Sequence, residues 1–416
     1  MISRRSFVQG LGGAGALAAT GARAQLGEVA VGILFPLSGP NAQVGHDARH
    51  AIETVVEIVN NPHPELDLPL AAGSGLPGLG GAKLRLVVAD HQSTPQVGRP
   101  EAERLVSEEK VCALVGSYQS GVGAAIAQVA ERLEVPYLAA ENSAPSLTRR
   151  GLRYVFRAAS HDDMFSETMF DLLDELKAKG ERVESIALFA EDTLFGTDSA
   201  NMQRRLAGER GYHVVADIKY RANAPSLAEE MRQLKAAGAD VLMPSSYTRD
   251  GILLVKGIAE LGYRPRAILA QNSGFSDPAL YQAVGREIVG CITRASFSPE
   301  LAEKRPAIGH VNALFRERSG SDLSDLSARQ FTAAMVLADA INRAGAADGR
   351  KIRDALAATD LPGDRTIMPW KRVAFDETGQ NREADPVLLQ WTGDRFSTIF
   401  PAALAVAGIR FPMGPA

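Results

Sequence analysis

Histidines and glycines stand at spacings in this chain that could support metal or nucleotide chemistry. His46 and His50 are four residues apart on one predicted helix, as two metal ligands would be. The adjoining glutamate and the third ligand of the H-E-x-x-H site are missing, so we expect solvated helix histidines. The run from Gly10 to Gly15 matches G-x-G-x-x-G. No strand precedes it, and this context argues against a dinucleotide site.

Two further features suggest chemistry and receive a structural interpretation instead. Cys112 and Cys291 each lie in a short apolar run and are expected to be buried strand residues. A disulfide between them is possible but would have to satisfy a strict Cα spacing. The glycine-rich stretch Ala71 to Gly81 lacks the Lys-Ser/Thr of a phosphate loop and predicts a mobile surface insertion. The sequence holds no G-x-S-x-G elbow and no C-x-x-C pair.

The amino terminus predicts export. Arg4 and Arg5 precede a weakly apolar run from Gly10 to Thr20, and Ala22 and Ala24 suit a signal peptidase. We therefore expect a twin-arginine signal peptide over residues 1–24, with the general secretory route as the open alternative, and a periplasmic mature protein. The apolar run is too short and too rich in glycine for a membrane anchor.

Composition limits the classes of partner and the number of domains. The chain has 416 residues, 45% hydrophobic and 23% charged, which suits two or three domains. Its formal charge is −4, and removal of the arginine-bearing signal makes it more negative. An acidic protein is a poor binder of nucleic acid.

Strand-like apolar runs alternate with longer helical patterns through most of the chain, which predicts parallel sheets with crossover helices. The first series runs from the strand at Val29 to that at Tyr154, and the same rhythm restarts with a helix at Met164. Later helices are expected near 307–318, 328–344 and 351–358, before a strand at 387–391. The sequence therefore predicts an α/β fold with two lobes.

Polar side chains follow the predicted strands of the first series, where open parallel sheets bind their ligands. Ser38 follows the first strand. The loops after two later strands carry the other candidates, which are Tyr118, Gln119, Ser120, Glu141 and Ser143. We expect Ser120 to be the N-cap of a helix that starts at Gly121, where free N–H groups and the helix dipole favour an anion. A plain helix cap is the alternative.

Several short stretches, in order along the chain, carry a family resemblance. They are Val31–Pro40, Gly116–Ser120, Tyr154–Arg157 and Phe375–Gly379. In this combination the chain resembles the leucine/isoleucine/valine-binding protein family, the type I periplasmic solute-binding proteins of ABC transporters. The resemblance implies two doubly wound lobes joined by three crossing segments. By analogy, lobe 1 comprises residues 26–158 plus 297–386, and lobe 2 comprises 159–296 plus 387–410.

The resemblance also implies roles for individual residues. Ser120 matches the serine that binds the ligand carboxylate, Ser143 matches a further hydrogen-bonding position, and Asp162 stands where the family has a second acid. Phe195 and Tyr247 match aromatic positions of the second lobe, although a tyrosine is usual at Phe195. Both could equally be core residues.

Two departures from the family bear on the ligand. Asn272 replaces the glutamate that pairs with a ligand ammonium, and Val44 replaces a tyrosine. Because an unpaired buried ammonium is costly, these changes disfavour a standard branched-chain amino acid. An amide, a carboxylate or an aromatic acid is the expected alternative.

The expected function is that of a non-enzymatic substrate-binding protein of an ABC importer, acting as a monomer with permease subunits as partners. We expect no cofactor and no metal. A periplasmic sensor or regulator of the same fold and an exported hydrolase are the alternatives.

Overall fold

The computed structural model describes residues 27–271, 273–303 and 305–413. The predicted signal peptide and Asn272 lie outside the described residues. Within the described residues, no helix combines the length and the apolar character needed to span a membrane.

Five parallel strands form the first sheet, in the order β2-β1-β3-β4-β5. They are β1 Glu28–Phe35, β2 Lys83–Asp90, β3 Leu114–Gly116, β4 Tyr137–Ala139 and β5 Val155–Arg157. The crossover helices are α1 Ala42–Asn60, α2 Pro95–Ser107 and α3 Ser120–Leu133. Alternate residues of β1 face opposite sides, so that Val31 and Ile33 pack in the core that includes α1, while Leu34 packs against α2 and α3.

The second sheet repeats this strand order. Its parallel strands run β7-β6-β8-β9-β10, and two antiparallel strands, β13 and β14, extend the edge beyond β10. The strands are β6 Ser185–Glu191, β7 His213–Tyr220, β8 Val241–Ser245, β9 Ala267–Ala270, β10 Ile292–Ala295, β13 Val387–Trp391 and β14 Phe396–Phe400. The helices are α4 Asp162–Ala178, α5 Leu194–Glu209, α6 Ala228–Ala237, α7 Thr248–Glu260 and α8 Pro278–Val284. The prediction of a restarting strand–helix rhythm is confirmed.

The segment between β10 and β13 returns to the first lobe. It contains α9 Pro306–Ser319, α10 Asp325–Ala344 and α11 Gly349–Ala357, with a small antiparallel pair of β11 Asp360–Pro362 and β12 Arg372–Ala374. Helix α10 is buried along most of its length and packs beside α1. The first lobe is therefore completed by residues distant in sequence from its sheet.

Three chain segments cross between the lobes and meet at one point. The Ser160 hydroxyl donates to the Ala384 carbonyl at 2.6 Å and lies 3.2 Å from the Ser296 hydroxyl. Ser160, Ser296 and Ala384 belong to the segments that follow β5, β10 and β12, respectively. The predicted class, two doubly wound lobes joined by three crossing segments, is confirmed, while the exact lobe boundaries stay predictions.

The glycine-rich stretch from Ala71 to Gly81 lies at the surface of the first lobe, as predicted, and buried residues within it fasten it to the core. Ala71 and Leu76 are buried in the main core. The Gly78 N–H donates to the side-chain oxygen of Asn342 on α10 at 2.8 Å. A Cβ at Gly78 would lie 2.0 Å from the Asn342 carbonyl oxygen. The glycine therefore serves a close backbone approach rather than flexibility.

The cysteines and histidines take the places expected of structural residues. Cys112 and Cys291 are buried and unpaired, each just before a strand. Burial raises the pKa of the Cys112 thiol to about 12. His46 and His50 are half-buried on α1, and the described ranges contain no group of three side chains able to hold a metal ion.

Candidate functional site

The site lies where the carboxyl ends of the two parallel sheets meet. In each sheet the strand order reverses beside the first strand, between β1 and β3 in one lobe and between β6 and β8 in the other. Ligands of doubly wound sheets bind at such switch points. A cavity of about 270 Å³ is lined by loops from both lobes, including Gln119 from the first and Glu191 and Tyr247 from the second.

An aromatic wall joins the two lobes beside this cavity. The Tyr118 and Tyr247 ring centroids are 5.1 Å apart, and those of Phe195 and Tyr247 are 5.4 Å apart. Val44 and Leu326 extend the wall on the first-lobe side. The structure thus brings together two predicted aromatic residues of the second lobe and one of the first. Valine in place of the family tyrosine leaves this side apolar.

Ser120 is the first residue of α3, and the expected N-cap assignment is wrong by one position, because Gln119 is the N-cap residue and caps nothing with its side chain. Ser120 is 2% exposed, and its hydroxyl accepts the Ala144 N–H at 3.3 Å. The Tyr247 hydroxyl lies against the Ser120 backbone N–H. The second lobe therefore reaches the helix end at which the resemblance places an anion.

Several buried polar atoms near the aromatic wall lack a hydrogen-bond partner in the described part of the chain. They are the Tyr118 hydroxyl, both side-chain amide atoms of Gln119, Glu141 Oε2 and Arg329 Nη1. The Tyr118 hydroxyl faces the Ser273 side chain without a well-formed hydrogen bond. Buried polar groups are nearly always satisfied in native proteins, so a cluster of exceptions indicates a missing partner.

Glu141 belongs to a buried cluster of two acids and one arginine. Arg329 pairs with Glu141 at 3.0 Å and with Asp325 at 2.5 Å. Asp325 already offsets the arginine charge, so burial dominates at Glu141 and raises its pKa to about 8, against the pull of Arg329. One of the oxygens of this carboxyl, Oε2, is unpartnered within the described residues.

Asp162 and Ser143 belong to a second buried polar group near the crossing segments. The Asp162 carboxylate accepts from the Ser199 hydroxyl at 2.9 Å, from the Gln271 amide at 3.1 Å and from Arg294 at 3.4 Å. Its backbone N–H donates to the Ser143 carbonyl at 2.9 Å, and the Ser143 hydroxyl bonds the carboxylate. Arg294 also stacks on Phe165, 3.7 Å from the ring centroid. Both oxygens of this acid have protein partners.

Two other predicted residues do not join this arrangement. Ser38 is exposed on the loop after β1, and its hydroxyl bonds Asp90, whose carboxylate also accepts the Leu37 N–H at 2.9 Å. The structure does not bring Ser38 to the aromatic wall. Asn272 lies outside the described residues, and its predicted role stays a prediction.

Four charged residues at or near the cleft were missed by the sequence reasoning. They are Glu191, Asp250, Arg294 and Arg329. Glu191 is fully buried at the end of β6, where its oxygens accept the Thr193 hydroxyl at 2.8 Å and the Tyr247 N–H at 3.2 Å. Burial raises its pKa to about 8. Two sequence signals could have indicated such residues. One is a charged residue at the end of a buried strand, and the other is a charged residue within the apolar run of α10, as at Arg329.

Two doubly wound lobes, three crossings and a cavity lined from both sides define a two-lobed solute-binding protein. The periplasmic binding protein family profile matches residues 28–395. Leu/Ile/Val-binding protein homolog 7 of Brucella abortus (strain 2308) is 30% identical over 406 residues, covering 94% of this chain and 96% of that protein. The chain belongs to the periplasmic binding protein family, and the predicted resemblance is confirmed.

Solved structures agree on the fold. The leucine-binding protein LivK of Thermotoga maritima MSB8 superposes with a TM-score of 0.77 at 21% identity, covering 89% of this chain and 97% of that one. A solute-binding protein of an ABC transporter from R. palustris, in complex with 4-hydroxybenzoate, gives 0.71 at 19% identity, covering 87% and 92%. At such identities the likeness concerns the fold alone.

Proposed function

We propose that the protein is the substrate-binding component of an ABC-type importer, which captures a small polar solute between its lobes by hinge closure and performs no covalent chemistry. The solute is an amino acid, an amide or an organic or aromatic acid. Three crossing segments that meet at Ser160 provide a hinge, and a cleft built from two lobes buries a solute when they close.

The observation that carries this proposal is the set of unpartnered buried atoms around the aromatic wall. Tyr118, Gln119 and Glu141 come from two loops of the first lobe, yet all leave polar atoms unsatisfied next to the second lobe. Each buried polar group that is left without a hydrogen bond costs about 1–3 kcal/mol. A bound solute with donors and acceptors removes that cost, which supports a binding site at this point.

The ligand contacts that we propose follow from the geometry. Ser120 and the start of α3 receive an anionic or strongly polar group, because first-turn N–H groups and the dipole favour it. Phe195, Tyr247 and Tyr118 enclose the apolar part. Relatives of this fold include a leucine-binding protein and one bound to 4-hydroxybenzoate, so both ligand types suit the scaffold.

Export and assembly complete the proposal. Residues 1–24 direct the chain to the periplasm, where the monomeric closed form docks on permease subunits in the inner membrane. The family to which the chain belongs is periplasmic, which supports this location. The curated relative carries the name of a Leu/Ile/Val-binding protein homolog, which supports a solute-capturing role.

The test begins with a thermal-shift screen of amino acids, amides and organic acids. A ligand at 100 times its dissociation constant stabilises the folded state by about 2.7 kcal/mol. Calorimetric titration of the best compound against Ser120→Ala should then show binding weakened by about 1–3 kcal/mol, the range for a lost hydrogen bond to a charged group.

Ser226→Ala is the matched control, because Ser226 is exposed and its hydroxyl also accepts a backbone N–H at 3.3 Å, outside the cleft. It should bind as the wild type does. Wild-type affinity in Ser120→Ala would show that the ligand does not use this helix end.

A further inference from the structure

The cavity beside Tyr247 has a chemical character of its own, and we call it the Gln119 cavity. Its volume is about 270 Å³, below the usual range for a whole drug-sized ligand. First-lobe loops contribute Asn41, Ser93 and Gln119, and second-lobe loops contribute Glu191, Asn223 and Asp250. Because Tyr247 borders both the cavity and the aromatic wall, the space continues the proposed ligand site.

Two buried acids, Asp250 and Glu191, line this cavity on the second-lobe side. Asp250 is 2% exposed, and its Oδ2 accepts the Asn223 N–H at 2.8 Å while its Oδ1 has no partner in the described ranges. Glu191 is fully buried with both oxygens used by Thr193 and Tyr247. The basic residue of the lining, Arg249, is exposed and donates to the Asn223 carbonyl.

Gln119 supplies an independent sign of a missing ligand. It is 8% exposed and lines the same cavity, and neither its amide oxygen nor its amide nitrogen is hydrogen-bonded within the described residues. A buried amide whose oxygen and nitrogen both lack partners has lost its hydrogen bonds to water without gaining any within the protein. Its oxygen and Asp250 Oδ1 are two acceptors in one enclosure, and a donor that carries positive charge satisfies both.

We propose that the Gln119 cavity binds a cationic nitrogen of the ligand, held by Asp250 and the Gln119 side-chain oxygen. This inference rests on the proposed function and narrows it: the solute is an acid that carries an ammonium group at its far end. The anionic end lies at Ser120 and the cationic end in the cavity, and Tyr247 borders both places. A buried carboxylate gains most from a partner that is both charged and hydrogen-bonding.

Two pairs of named probes test the proposal, each pair differing only in the terminal ammonium. They are 5-aminopentanoate against pentanoate, and 4-(aminomethyl)benzoate against 4-methylbenzoate. In calorimetric titrations the ammonium member of at least one pair should bind at least tenfold more tightly than its partner. Asp250→Asn keeps the acceptor for Asn223 and removes the charge, so it should bring that ratio close to one.

Asp192→Asn is the matched control. Asp192 is an exposed acid one residue from Glu191 and outside the lining, so the variant changes the net charge equally but should keep the wild-type ratio. Thermal melting of each variant verifies folding, and the ratio compares two ligands on one protein.

The outcomes separate the two proposals. If the parent acids bind and their ammonium forms bind no better, the inference is wrong and the proposed function stands. A preference that survives in Asp250→Asn would also overturn the inference. If no member of either pair binds while a compound from the thermal-shift screen does, the inference is wrong and the proposed function stands; if no compound of the screen binds either, the proposed function is contradicted as well.

Discussion

Two buried carboxyl groups lie at the interlobe cleft, and they differ in how fully their oxygens are hydrogen-bonded. Around Asp162, near the crossing segments, the acid oxygens have Ser199, Gln271 and Arg294 as partners. Around Gln119 and Glu141, at the aromatic wall, polar atoms remain without partners in the described chain. Burial of a carboxyl group alone therefore does not distinguish a candidate ligand site, and the cluster of unpartnered atoms at the aromatic wall is what supports the proposed one.

The Asp162 group has the features of a structural support. Asp162 is the first residue of α4, where the helix dipole favours its charge, and Arg294 lies on β10 in the same lobe. Ser143 ties the group to the first lobe through its carbonyl. Its position next to the crossings suits residues that hold the hinge geometry. The predicted contact of Asp162 with the ligand stays a prediction.

The largest expected effect on stability comes from removing the fully hydrogen-bonded carboxylate of Asp162. Asp162→Ala leaves Arg294 buried beside a missing carboxylate, and removal of one partner of a buried ion pair costs about 3–5 kcal/mol. Urea unfolding should show this loss of free energy of unfolding. Asp217→Ala, which removes the exposed partner of Arg204, should cost less than about 1 kcal/mol. Equal losses of unfolding free energy in the two variants would show that the buried Asp162 pair contributes no more to stability than an exposed ion pair.

The second effect concerns pH and the unsatisfied group. The pKa of Glu141 is raised by burial from 4.5 to about 8, so the folded state holds the proton more tightly than the unfolded state. This contribution to stability is complete below pH 4.5 and is lost as the pH rises to about 8. Glu141→Gln should therefore flatten the decline of the unfolding free energy across this window, by up to about 1.4 kcal/mol per pH unit.

Part of that decline should persist in Glu141→Gln, because the pKa of Glu191 is also raised to about 8. Glu191→Gln should remove a second portion. A wild-type protein whose stability rises between pH 5 and 8 would contradict the raised pKa values of these two buried acids.

The smallest effect has an unusual sign. Gln119→Leu replaces a buried amide without partners by an apolar group of similar size, and it should stabilise the ligand-free protein by about 1 kcal/mol while weakening ligand binding. Thermal melting and calorimetry measure the two properties separately. A loss of stability with unchanged affinity would show that Gln119 supports the loop and does not contact the ligand.

Much of the fold was readable from the sequence, because parallel strands and crossover helices leave a strong alternation of apolar patterns. The antiparallel strands β11, β12 and β14 were missed, since they lie outside the alternation of strands with crossover helices, and β10 was anticipated only through the apolar run that contains Cys291. The sequence did not show that the glycine-rich stretch is fastened to α10, because the contact between Gly78 and Asn342 joins residues far apart in the chain.

The site was predictable to the extent that it follows strand ends. Tyr118, Gln119, Ser120 and Glu141 come together as loops of one sheet edge. Arg329 could not be placed from local sequence, because its partner Glu141 lies on another segment and a helix arginine ordinarily faces solvent. The resemblance supplied Phe195 and Tyr247, which spacing alone would have assigned to the core.

A crystal structure with the compound that gives the largest thermal shift tests the central claim most directly. We predict density between Tyr118 and Tyr247, with the ligand's polar atoms within hydrogen-bond distance of Ser120 and of the atoms of Gln119 and Glu141 that now lack partners. Density at another site, with those atoms still unpartnered, would contradict the account.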